Sequence, residues 1–225
     1  MAHFEIEIKS LLGEKEHAED LKERLKKLPE PARFVRKSSQ LNHYFLVGNW
    51  EEFLQSIQVY LSGEHFDHLH RIVREGKNHS VRTRQSDGKM LFVVKASLDD
   101  MTSSNGVSRM EFEEETPDLS LEKLDALLLE SGFQYQAKWS RDREEYKAGN
   151  VSVCLDRNAG YGYVAEFEKI VHDANEADGA KKELLEFMDG LGVKELPQDR
   201  LERMFAYYNE HWPEYYGTDK IFVIE

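Results

Sequence analysis

Cysteine is almost absent from this chain of 225 residues: Cys154 is the only one, which excludes an intramolecular disulfide and any zinc site built on paired cysteines. Nowhere do about 18 apolar residues run together, so no segment has the make-up of a membrane-spanning helix. The chain opens on a charged alternating segment rather than an apolar leader, and we expect a cytoplasmic protein with no membrane partner. Bases are in deficit, 30 Lys and Arg against 43 Asp and Glu for a net charge of −13, which argues against a nucleic acid polymer, whose binding rests on neutralising phosphates. Internal repeats, low-complexity tracts and a clear linker are missing too, and 40% apolar composition supplies a sizeable core, so residues 1–225 read as a single domain.

What is present is charge at two-residue spacing. Glu5, Glu7 and Lys9 interleave with Phe4, Ile6 and Ile8, which in a strand gives one oily face and one carrying two carboxylates and an amine. Beyond it, Ala18, Leu21, Leu25 and Leu28 form the stripe of an amphipathic helix that Pro29 and Pro31 stop. A strand is expected at about 40–47, a helix at 50–61, and then a loop holding His65, His68 and His70. Residues 69 to 116 read as a strand meander with a turn at Ser86-Asp87-Gly88 and a polar loop from Asp99 to Gly106. A helix over 120–131, strands near 133–146, 151–156 and 162–171, and helices near 175–190 and 198–210 complete the chain. About eight strands and five helices, joined mostly by short turns, favour an antiparallel α+β architecture.

The alternation continues through those strands. Arg82 and Arg84, Lys95, Arg109 with Glu111 and Glu113, Arg141 and Arg143, Asp156, and Glu166 and Glu168 all fall opposite apolar neighbours in the pleat. A solvated sheet face would also alternate. Two details favour a closed sheet with a charged interior instead. Arg, suited to forked recognition of anions, dominates the strand bases while Lys is common on the helices. Carboxylates two apart also lie roughly 6–7 Å from each other and repel unless a cation intervenes. Such a surface suits a polyanion held together with its divalent metal, the bases on phosphate oxygens and the acids on Mg2+ or Mn2+.

These residues resemble the CYTH superfamily, or triphosphate tunnel metalloenzymes, which includes class IV adenylyl cyclases, thiamine triphosphatases and inorganic triphosphatases. The family's Glu-x-Glu-x-Lys is Glu5-Ile6-Glu7-Ile8-Lys9, followed in order by Tyr44-Phe45, Val81-Arg82-Thr83-Arg84, Lys95 and Arg109-x-Glu111-x-Glu113. Arg141-x-Arg143-x-x-Tyr146, Leu155-Asp156 and Gly160-Tyr161-Gly162-Tyr163-Val164-Ala165-Glu166-Phe167-Glu168 complete the set, over roughly residues 3–205. The resemblance implies an eight-stranded antiparallel closed β tunnel, or barrel, with helices outside. It implies metal held by Glu5, Glu7, Glu166 and Glu168 with Asp156, and a triphosphate bound by Lys9, Arg82, Arg84, Lys95, Arg109, Arg141 and Arg143. Glu5, Glu7, Lys9 and Arg143 would be catalytic, and Glu111 and Glu113 a third acidic pair of metal or structural role.

The expectation is a metal-dependent triphosphate phosphohydrolase acting on a nucleoside, thiamine or inorganic triphosphate, as monomer or homodimer. The alternatives are an adenylyl cyclase making cyclic AMP and pyrophosphate, or a non-catalytic polyphosphate or nucleotide binder. Departures from the family pattern are Arg141 where Lys is common, Asn42-His43 before Tyr44, and Gly160-Tyr161-Gly162 for Gly-Leu-Gly. Outside the motif, His43 suits a surface or packing role more than the tunnel mouth, Cys154 shares a face with Asp156, and the aromatic extension over 206–225 (Tyr207, Tyr208, Trp212, Tyr215, Tyr216) suits packing on the domain more than a partner surface or a nucleobase platform.

Overall fold

The computed structural model describes residues 4–97 and 109–224, and the loop expected at Asp99–Gly106 lies outside them. The strands are β1 (Phe4–Gly13), β2 (Arg33–Leu46), β3 (Lys77–Ser86), β4 (Lys89–Ser97), β5 (Arg109–Glu115), β6 (Gln134–Ala148), β7 (Val151–Asn158) and β8 (Gly162–Val171). The helices are α1 (Lys15–Lys26), α2 (Trp50–Ile57), α3 (Gly63–Glu75), α4 (Leu121–Glu130), α5 (Ala177–Gly190) and α6 (Gln198–Tyr215). The result is the expected α+β class: one eight-stranded antiparallel sheet in the order β1-β8-β7-β6-β2-β3-β4-β5, with β1 and β5 at its two ends.

The strand expected at about 40–47 begins earlier, as β2 from Arg33, and one element departs in kind. The histidine-bearing loop is the helix α3, because the Ser62 hydroxyl accepts from the His65 amide as an N-cap and Leu69 and Ile72 repeat at helical spacing into the core. His65, His68 and His70 therefore decorate a helix, and no group of three His, Cys, Asp or Glu suited to a metal occurs among the described residues.

The chain divides into two compact units, Met1–Ser39 with Ser140–Glu225, and Gln40–Trp139. In the first, Ile8, Leu12, Val151, Val153, Leu155, Ala165 and Phe167 on the apolar side of the strands pack with α1 (Leu21, Leu25) and α5 (Leu184, Met188). In the second, Phe45, Val81, Phe92, Val94 and Phe112 pack with α2, α3 and α4 through Phe53, Ile57, Ile72, Leu124 and Leu128. Each unit thus turns the apolar side of its strands to helices, which leaves the charged parity on the other side.

Candidate functional site

In the first unit the strand registers align the charged parity into rows. Glu7 pairs with Glu168, which pairs with Ser152, which pairs with Lys147; the next row is Lys9, Glu166, Cys154 and Glu145; the next is Leu11, Val164, Asp156 and Arg143. Lys9 donates to Glu7 and lies 3.3 Å from Glu166. Arg143 forks onto Asp156, 2.7 Å from Nε to Oδ1 and 2.6 Å from Nη2 to Oδ2, and also donates to Glu166. Arg141 adds a contact of 3.3 Å to the same Asp156 oxygen. The chain Glu7–Lys9–Glu166–Arg143–Asp156–Arg141 is therefore a continuous alternation of charge.

Burial grades that alternation. The Asp156 side chain is only 1% exposed, and burial pushes its pKa up against the pull of Arg143's hydrogen bonds, the Glu166 charge adding to the push. Burial pushes Glu166 the same way, but the Lys9 and Arg143 charges outweigh it and hold Glu166 low. Arg143, despite its burial, is held above the ordinary arginine range by the same two acids. The Cys154 thiol points to this side, as expected, and burial pushes it up to about 12, so it stays protonated and unreactive.

The second unit carries its own set. Arg84 donates to Asn42 at 2.9 Å and to Glu113 at 2.7 Å, and Lys95 lies 2.8 Å from Glu111. Arg82 donates to the Tyr44 hydroxyl at 2.9 Å with its guanidinium 5.6 Å from that ring's centroid, and its buried Nε has no partner among the described residues. His43 faces the other way, its Nδ1 2.6 Å from the buried Asp125, which also accepts from Thr83 and Tyr135 at 2.7 Å each. The packing role expected of His43 holds, and Asn42 in the departed motif is the neutral partner of Arg84.

Of the residues singled out by sequence, Glu7, Lys9, Arg141, Arg143, Asp156 and Glu166 come together in the first unit, with Glu168 in the same rows, and Arg82, Arg84, Lys95, Glu111 and Glu113 lie in the second. The side chains of Glu5 and Arg109 lie outside the described residues. Sequence reasoning missed three charged residues of the first unit's face: Lys147, Glu145, and Arg36, which lies 2.8 Å from Glu145. Their signal was available, since Glu145 and Lys147 simply extend the two-residue spacing of Arg141 and Arg143 along β6.

The acids of the first unit offer the carboxylate oxygens that a hard divalent cation takes, but among the described residues no three of them are gathered into a group that would hold one. Glu7 and Glu168 stand directly opposite, a like-charge pairing across β1 and β8, with the Lys9 amine resting on Glu7.

A profile described as the CYTH domain matches residues 3–200. Among solved structures, a conserved hypothetical protein from Pyrococcus furiosus shares 23% identity with a TM-score of 0.54, over 85% of this chain and 92% of that one. A proposed adenylate cyclase from Vibrio parahaemolyticus is 13% identical with a TM-score of 0.54, over 92% and 99%. A proposed adenylyl cyclase from Hippeastrum, described as revealing a dominant triphosphatase activity, is 18% identical with a TM-score of 0.51, over 92% and 96%. No curated protein matches the chain. At these identities the structural likenesses speak to the fold.

Proposed function

The chain belongs to the CYTH domain family, and from that membership we propose that it is a metal-dependent enzyme acting on a triphosphate-bearing substrate, most simply a phosphohydrolase releasing phosphate. The observation that carries the proposal is the alternating chain from Glu7 to Arg141, in which each base already rests on an acid. Such a face has cations to give to phosphate oxygens and carboxylates to give to a metal.

In this reading Lys9, Arg141 and Arg143 take phosphate oxygens in the first unit, and Arg82, Arg84, Lys95 and Arg109 are phosphate-binding cations of the second. Glu5, Glu7, Glu166 and Glu168, with Asp156, would hold Mg2+ or Mn2+, which would supply neutralisation of the charge on the phosphoryl oxygens. Glu111 and Glu113 keep Lys95 and Arg84 aimed. Lys9 and Arg143 stabilise the charge that grows on the transferring phosphoryl group, and Glu7 positions the Lys9 amine through its bond to it. Arg141 contributes charge alone, since a guanidinium does not exchange its proton at working pH. In this reading water is the nucleophile, and the one cysteine, kept protonated by its burial, takes no part.

A cyclase reading, in which the ribose 3′-hydroxyl of ATP displaces pyrophosphate, draws support from the Vibrio parahaemolyticus likeness, and the Hippeastrum protein's described activity favours hydrolysis. The test is incubation with ATP, inorganic triphosphate and thiamine triphosphate, each with Mg2+ and with Mn2+. Orthophosphate is the expected product; cyclic AMP with pyrophosphate would establish the cyclase, and binding without turnover a sensor. Glu7→Gln is expected to lose metal-dependent turnover at least a hundredfold, by analogy with the loss of one electrostatic group elsewhere; full activity in that variant would overturn the metal assignment.

A further inference from the structure

On the charged face of the first unit, Lys147 differs from the other cations. Lys9 rests on Glu7 and Glu166, Arg143 on Asp156 and Glu166, Arg141 on Asp156, and Arg36 on Glu145. Among the described residues Lys147 donates only to neutral oxygens, the Asn150 carbonyl at 3.2 Å and the Ser152 hydroxyl at 3.1 Å. An anion reaching Arg143 or Lys9 must displace a carboxylate, whereas one reaching Lys147 displaces two neutral acceptors, so Lys147 carries the positive charge most readily given to a ligand.

Its position bears on ligand length. Lys147 shares its row with Ser152, Glu168 and Glu7, and it lies on β6 with the same side-chain parity as Arg143, four residues further on and so about 13 Å along the strand. A short anion gripped by Arg143 stops before Lys147, and a longer linear one is met by both side chains.

We propose that Lys147 is a further anion contact that makes this face select linear triphosphates over shorter phosphates, an inference that rests on the triphosphate reading above. The test is calorimetric titration of the full chain, in Mg2+ buffer, with inorganic tripolyphosphate and with pyrophosphate. Lys147→Gln is expected to weaken tripolyphosphate binding roughly tenfold, the effect of one charge-assisted hydrogen bond, and pyrophosphate binding less than about twofold. Lys147→Arg is expected to restore most of the loss. Because misfolding would weaken both ligands together, the ratio of the two affinities is the readout, with thermal melting recorded beside it. A ratio unchanged from the parent protein overturns the role of Lys147 while leaving the triphosphate reading intact. Failure of the parent protein itself to bind tripolyphosphate overturns the triphosphate reading, and the role of Lys147 with it.

Discussion

Asp125 is a heavily committed polar side chain of the second unit: its two oxygens sit within 2.7 Å of donors on His43, Thr83 and Tyr135, and it is buried on α4. A buried carboxylate is tolerable only when paired in this way, and the three partners tie β2, β3 and β6 to the helix. Removing it in Asp125→Ala strips one acceptor from three donors and is expected to cost on the order of 3 kcal/mol, read as a lower urea midpoint. The pH dependence follows from the same bonds. Burial pushes Asp125 up, but His43, Thr83 and Tyr135 together hold its pKa below the ordinary 3.8. A depressed folded pKa means that the contribution is complete above the unfolded value and disappears as pH falls through the folded one. The stability gap between the parent protein and Asp125→Asn is therefore expected to be widest above about pH 4 and to narrow under stronger acid, as urea titrations at stepped pH would record. A gap that stays constant down to the acid limit would mean that the charge of Asp125 contributes nothing.

At the scale of elements, the turn between β7 and β8 matters because it joins the strand of Asp156 to that of Glu166. The carboxy-terminal segment holds that turn: the Phe222 amide donates to the Gly160 carbonyl at 2.9 Å, Arg157 pairs with Asp219, and the Phe222 ring lies 4.8 Å from Tyr161 and 6.3 Å from Tyr208. Gly162, with φ at +70°, sits where a Cβ would meet the Gly13 carbonyl oxygen at 2.2 Å, so no other residue fits. Phe222→Ala is expected to cost about 3 kcal/mol and to lower the melting temperature by on the order of 10 °C. A shift under about 2 °C would show that the segment is an ornament of the turn rather than its support. The same contacts say what was legible in sequence. Tyr161, visible only as a departure from the family's Gly-Leu-Gly, and the aromatic extension, expected to pack on the domain but with no partner named, are two sides of one packed cluster; pairing them takes a contact across some 60 residues that no local pattern encodes. Strand parity, by contrast, is local, so the charged face of β1, β6, β7 and β8 was legible almost entirely. It faded at Glu145 and Lys147 because Glu144, Glu145, Tyr146 and Lys147 are all polar or amphipathic, and alternation has no contrast there. Helix α3 was hidden for a similar reason: Leu69 and Ile72 carry its buried stripe among three histidines that read as loop.

For the molecule as a whole, a net charge of −13 repels a polyanion at long range and attracts a divalent cation. The charged face of the first unit adds a short-range condition to that bias. Its acids and bases neutralise one another from Glu7 through Lys9, Glu166 and Arg143 to Asp156. A metal alone would have to draw carboxylates off Lys9 and Arg143 and leave partly buried cations bare. A polyphosphate alone would draw those cations away and leave Asp156 and Glu166 bare. Either loss is costly where the groups are out of water, and each is relieved when the second ligand arrives. Binding of Mg2+ and of tripolyphosphate is therefore expected to be mutually reinforcing, by about 5- to 150-fold in affinity, with the same factor in both directions because linkage requires it. Calorimetry of each ligand alone and in the presence of the other measures both factors, with the affinity of Mg2+ for free tripolyphosphate subtracted. Removing the exchange at its centre by Arg143→Met should collapse the factor toward one. If tripolyphosphate binds the parent protein equally well with Mg2+ and with chelator, the charges of this face act independently, and the alternation is a means of stability rather than of recognition.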